Sequence, residues 1–253
     1  MIRICIATHK RETIICKKTL KFLNQTCQFK SNIYIFTPKE QIPNYKIQIG
    51  QYEFENLNIL FVESPNTLSA KMNYIINDYF EHNDFVIYLE DDIESIQTLV
   101  EFDNKKHLTN MLDMTKFIMR TYDILIQNDL NIFGIYPVYN PYFMHFKNTT
   151  CFKFLINHFF GFIVNKNKSI IINTDCKSDY EKSIIFYKEY GKILRFNHIV
   201  CKTCNYKNVG GIDNKTRFDQ ETESADYLLI NYPDYCVIKN CKSEFKQIRL
   251  KKI

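Results

Sequence analysis

Short apolar runs punctuate the first third of the chain, at residues 2–7, 32–36, 57–62 and 85–89. Runs of this length, rich in Ile, Val, Phe and Tyr, predict strands covered on both faces. Between them the period changes. Residues 12–23 place Ile15, Leu20 and Leu23 on one side, which predicts a helix, and Pro38 stops the second strand. Ser64-Pro65-Asn66 forms a loop and N-cap region for a helix over 68–80. Strand–helix–strand–helix–strand in this order predicts right-handed crossovers and a mostly parallel, Rossmann-like sheet.

Beyond residue 100 the pattern is more aromatic. A long helix is predicted over 109–127, then short strands at 132–138, 152–156 and 160–164 with tight turns, as in an antiparallel extension. A helix over 180–190 is closed by Gly191 at its C′ position. Strands follow at 193–196 and 199–201, a turn at Gly210-Gly211, a helix over 221–231 and a basic strand at 247–251.

The run at 85–89 ends abruptly in Glu90-Asp91-Asp92. Carboxylates crowded at a strand end repel one another and lose hydration unless a cation neutralises them. The C-terminal ends of strands in open α/β sheets are also where ligands bind. Hard ions with oxygen ligands, Mn²⁺ or Mg²⁺, suit such a place, with an ordinary acidic turn as the alternative.

At 253 residues the chain is long enough for one large α/β domain or two small ones. With 6 Gly and 6 Pro it has no linker or low-complexity segment. The apolar runs are too short for a membrane span and no leader-like run lies near Met1. The expectation is a soluble, cytoplasmic protein whose 9 cysteines are reduced thiols. A net charge of +5 suits an anionic ligand without establishing nucleic-acid binding.

Three elements occur in order over roughly the first hundred residues: Ile4-Cys5-Ile6-Ala7-Thr8-His9-Lys10-Arg11, Leu68-Ser69-Ala70-Lys71-Met72-Asn73-Tyr74-Ile75, and Glu90-Asp91-Asp92. Together they resemble the GT-A glycosyltransferases: first strand and loop, the helix that usually carries Ala-Arg-Asn, and the acidic metal motif. The resemblance implies an α/β GT-A fold with a mixed, mainly parallel sheet and a smaller antiparallel C-terminal part. It implies a single domain over 1–253, with a nucleotide-sugar half at 1–100 and an acceptor half at 101–253. Asp92, with Glu90, would coordinate the metal, and Asp91 would bind the donor ribose or a metal water. Thr8 and Arg11 would line the base pocket, and Lys71 would contact the pyrophosphate of a nucleotide-sugar donor, a UDP-sugar first among them. Where many family members carry an acid after the second strand, this chain reads Phe36-Thr37-Pro38-Lys39, with Glu40 the nearest acid.

Asp179-Tyr180-Glu181-Lys182-Ser183, then Tyr190-Gly191-Lys192-Ile193-Leu194-Arg195-Phe196-Asn197 and Gly210-Gly211, resemble the TET-associated glycosyltransferase family. That family includes the enzyme that glucosylates hydroxymethyl pyrimidines in DNA to make base J. The acceptor implied is such a base, or else a glycan, and a large DNA virus or phage would be a fitting source. Inverting transfer needs a general base, and Asp179, then Glu181, are the candidates; as acids at a helix start they are equally suited to capping. A retaining enzyme would need no such base.

Cys201-Lys202-Thr203-Cys204 has zinc-ligand spacing that Cys236 and Cys241 would complete, although CxxC pairs also arise by chance in a cysteine-rich chain. Tyr136 to Phe143 is an aromatic, rigid stretch suited to stacking a ring or to packing a corner. His145, His158 and His198 lack ligand spacing, and the basic tail reads as a solvated edge strand. Two rival functions remain. A nucleotidyltransferase typically needs a Gly-rich phosphate loop near the N-terminus, and no glycine precedes Gly50. A non-catalytic module retaining the fold is opposed by the intact acidic triplet.

Overall fold

Strand β1 (Ile2–Ala7) is buried from Ile4 onward, and its side chains alternate between two cores. Ile4 and Ile6 enter one, Cys5 and Ala7 the other. Burial on both faces is what a wholly apolar run demands, and it places β1 in the middle of a sheet. The structure, a computed structural model, describes residues 1–28, 31–203, 214–240 and 246–253, without the side chains of 214–218.

Seven strands form the main sheet: β1, β2 (Ser31–Thr37), β3 (Leu57–Glu63), β4 (Phe85–Glu90), β7 (Ile132–Ile135), β8 (Phe159–Ile163) and β9 (Leu194–Phe196). Their order is β3-β2-β1-β4-β8-β7-β9. The pairs β3–β2, β2–β1, β1–β4 and β7–β9 are parallel, whereas β8 is antiparallel to both neighbours. A three-stranded antiparallel sheet joins β5 (Ile93–Phe102), β6 (Lys105–Asn110) and β10 (Ile199–Thr203), and β11 (Cys236–Ile238) pairs with β12 (Ile248–Leu250). The expected mixed, mainly parallel α/β fold with a smaller antiparallel part is thus observed.

Helices cover both faces. On one lie α1 (Glu12–Ile15), a π-helical stretch at Cys16–Leu20, α2 (Lys21–Thr26), α3 (Ile42–Ile49) and, past α4 (Leu68–Asn73), α5 (Met114–Gln127). On the other lie α4 with its π-helical continuation Tyr74–Tyr79, α6 (Ser178–Tyr190) and α7 (Asn214–Asn231). Asn73 and Asn77 tie α4 and its continuation to the segment before α6. The Asn73 amide donates to the Ile172 carbonyl and accepts from its N–H, both at 2.8 Å, and Asn77 treats Ile170 alike at 2.8 and 3.0 Å.

Gly161 on β8 sits opposite Ile87 of β4 and Phe133 of β7. A Cβ there would lie 2.4 Å from Phe133 Cε1 and 2.8 Å from the Val86 carbonyl oxygen, and the second is backbone. Gly161→Ala is therefore expected to lower stability by about 1–3 kcal/mol or more, read as a fall in the denaturant midpoint.

Several expectations are corrected. Residues 152–156 form no strand. Their backbone is satisfied from α6 instead: Leu155 N–H donates to Ser183 Oγ at 2.8 Å, and Lys182 Nζ reaches the Ile156 carbonyl at 3.4 Å. The helix expected over 109–127 starts at Met114, capped by Asp113, because residues 105–110 pair as β6. The hairpin β5–β6, helix α3 and strand β11 were not expected. Cys201 packs in the core on one face and Cys236 in the core on the other, so these two do not belong to one zinc set. Cys204, Cys241 and the Gly210-Gly211 turn lie outside the described residues. No helix among the described residues is long and apolar enough to cross a membrane.

The chain leaves β1 toward β2 on one side and returns as β4 on the other. The connections diverge at the C-terminal ends of these two strands, the usual ligand position in such sheets.

Candidate active site

The turn after β4 is braced from behind. Thr19, in the π-helical stretch, donates to the Glu90 carbonyl at 2.8 Å and accepts from Ile93 N–H at 2.9 Å. Both ends of the Asp91-Asp92 turn thus hang on one buried hydroxyl. The widened turn of a π-helix is often kept at functional sites for such an offset. Asp91 and Asp92 are buried, at 3% and 4% exposure. The Glu90 side chain is 30% exposed, with His158 Nε2 3.6 Å from its carboxylate.

Asp91 is the best-connected of the three. Its Oδ2 accepts from Thr8 Oγ1 at 2.7 Å, and its Oδ1 pairs with Arg11 Nη1 at 2.9 Å. Because the Thr8 proton goes to the carboxylate, the 2.7 Å contact between Thr8 Oγ1 and Tyr45 must be a donation from the Tyr45 hydroxyl. Tyr45 in turn accepts from Arg11 N–H at 3.0 Å. A single chain therefore runs from the Arg11 amide through Tyr45 and Thr8 to Asp91. Lys71 closes the group from α4: its Nζ donates to the Thr8 carbonyl at 2.7 Å, and the residue is only 3% exposed. Thr8, Arg11, Lys71 and Asp91 thus lie together, and Lys71 braces the loop through the Thr8 carbonyl.

The electrostatics are those of a crowded, dry site. Glu90 is pushed up to about 8, first by burial and then by the charges of Asp92, Asp91 and Asp179. Burial also raises the Asp91 carboxyl, opposed by Arg11 and Thr8. It draws the Lys71 ammonium down to about 8 against the pull of Asp91.

The first turn of α6 is tied to the acidic turn through neighbouring residues: Asn157 donates to Ser178 Oγ at 2.9 Å, and the carbonyl of the next residue, His158, accepts from Glu90 N–H at 3.0 Å. Burial raises the Asp179 carboxyl, while Lys182, His158 and Lys177 oppose the shift. Glu181 has a different setting. It is fully buried and accepts from Asn173 N–H (2.8 Å), Thr174 N–H (2.9 Å), Thr174 Oγ1 (2.9 Å), the Asn173 amide (3.1 Å) and the Tyr232 hydroxyl (3.2 Å). These five donors make it the anchor of the segment leading into α6, not a partner of the acidic turn.

Among the described residues no three His, Cys, Asp or Glu side chains converge as a ready-made metal cage. Mg²⁺ and Mn²⁺ commonly bind through one or two carboxylates and complete their shell with water and substrate phosphates. The mutual repulsion that lifts Glu90 is the local demand for positive charge. Asp92 and Glu90 are the residues that would meet it.

Solved structures share this topology, two of which are described. Residues 1–349 of S. aureus TarS align with a TM-score of 0.50 at 10% identity, covering 92% of this chain and 73% of that one. A mannosyltransferase from Pyrobaculum calidifontis, PcManGT, solved in complex with GDP-Man and Mn²⁺, gives a TM-score of 0.51 at 9% identity, covering 82% of this chain and 58% of that one. The fold is that of the GT-A glycosyltransferases. No protein-family model matches the chain, and no curated protein matches its sequence. The narrower resemblance to the TET-associated family is therefore not shown.

Tyr45, Thr19, Lys182 and His158 were missed as site residues. One signal for Tyr45 was present: Pro43 stands in the first turn of α3, where a helix tolerates proline best.

Proposed function

We propose that the chain is a metal-dependent glycosyltransferase that moves a sugar from a nucleoside-diphosphate sugar to an acceptor hydroxyl. The observation that carries this reading is convergence. Thr8 and Arg11, the Glu90–Asp92 turn and Asp179 come from three separate parts of the chain to the same strand ends of a GT-A sheet. Arg11, fixed by Asp91, and Thr8 shape the nucleotide end of the crevice. Lys71 holds the loop that carries them and adds positive charge behind the diphosphate. A divalent ion held by Asp92 and Glu90 would neutralise the departing diphosphate. Asp179 takes the acceptor proton as the hydroxyl attacks. Hydrophobic cover from Tyr88 and Phe160, both buried beneath this end of the sheet, keeps the region dry and its charges effective.

A UDP-sugar is the first donor to test. The acceptor is a hydroxymethyl pyrimidine in DNA or a glycan. Tyr142 and Phe143 are exposed beside β6, and Tyr139, also exposed, donates to Gln97 of β5; either acceptor offers a ring for such side chains to stack on. Calorimetry with UDP, GDP and other nucleoside diphosphates is expected to show binding in Mn²⁺ and none in EDTA. No binding across the common nucleotides would remove the enzyme reading in favour of a scaffold.

A further inference from the structure

The loop after β1 is shaped by side chains that follow β2, and one of them fixes the place of a proton. Gln41, in the short 3₁₀ turn Lys39–Gln41, is buried. Its Oε1 accepts from Lys10 N–H at 2.9 Å, with Thr37 Oγ1 3.4 Å away. The bond holds Lys10 at a φ of 53°, in the left-handed region that a lysine rarely adopts. A backbone N–H can only donate, so the amide atom facing Lys10 must be the oxygen. The amide nitrogen then lies 3.1 Å from His9 Nδ1. An NH₂ group has nothing to accept with. His9 Nδ1 therefore takes this bond through its lone pair, and the ring proton sits on Nε2. Burial and the charges of Lys71 and Lys10 lower the imidazole from its usual range, which keeps it neutral. The ring is only partly buried, and its Nε2–H makes no hydrogen bond to any described residue.

Three acceptors around this loop are already used. The Thr8 carbonyl takes Lys71 Nζ at 2.7 Å, the Tyr45 hydroxyl takes Arg11 N–H at 3.0 Å, and Gln41 Oε1 takes Lys10 N–H. Between Thr8 and Arg11 the loop thus offers a donor, on His9. We propose that His9 is a specificity-determining residue for the nucleobase of the sugar donor: its Nε2–H, fixed by Gln41, donates to a ring carbonyl, so that keto bases (uracil or guanine) are taken over their amino counterparts, cytosine and adenine. The inference rests on the reading above that a nucleoside diphosphate binds beside Thr8 and Arg11. Where uracil and guanine carry an exocyclic oxygen, cytosine and adenine carry an NH₂, which would set donor against donor. Gln41 is a positioning residue. It touches no base, and acts by deciding which nitrogen of His9 holds the proton. An acid after β2 would instead accept from a base N–H; Gln41 turns its oxygen inward to Lys10.

The test is calorimetry of UDP, CDP, GDP and ADP in Mn²⁺ with the parent protein, His9→Phe and Gln41→Glu, together with imidazole ¹⁵N NMR. Among the nucleotides that bind, the parent is expected to prefer the keto member of each pair by about tenfold, the scale of one hydrogen bond gained against one donor left unpaired. His9→Phe keeps a ring but no N–H. It should weaken the keto nucleotides and bring the ratio close to one. NMR above pH 7 should show His9, identified by the signals lost in His9→Phe, with its proton on Nε2. Gln41→Glu sets an acceptor against Nδ1 and should bring a proton onto that nitrogen, a change that mere packing by Gln41 would not produce. Equal binding of UDP and CDP by the parent, an undiminished preference in a folded His9→Phe, or a parent His9 protonated on Nδ1 would each overturn the proposal. The parent's own ratios decide the matter if His9→Phe does not fold. Binding of none of the four nucleotides removes the proposed function and this specificity with it. Binding without discrimination leaves that function standing and overturns the specificity alone.

Discussion

Asp92→Asn is expected to abolish turnover and Mn²⁺-dependent nucleotide binding while leaving the fold intact. The side chain is buried in a turn whose ends are fixed by Thr19, so an isosteric amide disturbs no packing. It does remove charge. After burial, Asp92 is the largest contributor to the rise of Glu90, so the variant lets Glu90 ionise more readily and relieves repulsion within the turn. Thermal stability should stay level or rise while kcat falls on the order of 10³-fold or more, the scale of losing a major electrostatic stabiliser of the transition state. Opposite changes in stability and activity would mark a group kept for function and not for folding. Full activity in Asp92→Asn, or a parent rate untouched by excess EDTA, would sink the metal assignment.

Asp179→Asn and Glu181→Gln are expected to separate cleanly although the residues are two apart. Asp179→Asn should lower kcat by about 10²–10⁴-fold with donor affinity retained, the usual loss for a general base. Glu181→Gln should act on stability instead. The amide presents an NH₂ to a pocket of donors, leaving at least one N–H facing another, at a cost of about 1–3 kcal/mol. Its kcat per folded molecule should hold. The paired measurements are denaturant unfolding and single-condition kcat for both variants. If Glu181→Gln loses the rate while Asp179→Asn keeps it, the roles are reversed. If neither loses it, anomeric analysis of the product by NMR distinguishes a base elsewhere from a retaining reaction.

The four parallel strands were legible because each is apolar on both faces, a pattern little else produces. The β5–β6 hairpin was not. Its buried residues Ile93, Ile96 and Leu99 fall three apart, which is closer to a helical than a strand period. The pairing with β10 shifts register near Ile93, and Ile96 packs with Cys201 in the main core while Leu99 packs with Val200 and Met144 in a small separate one. Helix α3 buries only Tyr45 among its apolar residues, so it carries almost no periodic signal. The same logic holds at the site. Glu90, Asp91, Asp92, Thr8 and Arg11 could be read because they sit next to strands whose direction was known. Tyr45, Thr19 and Lys182 contribute single polar atoms from inside helical segments. Apart from Pro43, which marks the start of the helix carrying Tyr45, nothing local distinguishes them from a core tyrosine, a helix threonine and a solvated lysine.

The amides of Asn73 and Asn77 address alternate residues of one extended segment, as a neighbouring strand would. Sliding that segment by one residue would present each amide with a peptide facing the wrong way. Lys71 stands two residues before Asn73, and Asp179 follows Ile172 by a span that Asp175 also pins, accepting from Ser69 N–H at 2.7 Å. Insertions and deletions between 172 and 179 would therefore be selected against, whereas the Asp103-Asn104 tip of the β5–β6 hairpin, where both residues have positive φ and lie exposed, is free to change length. Length variation would accordingly collect at that hairpin tip, while the spacing that sets Lys71 against Asp179 would pass unchanged.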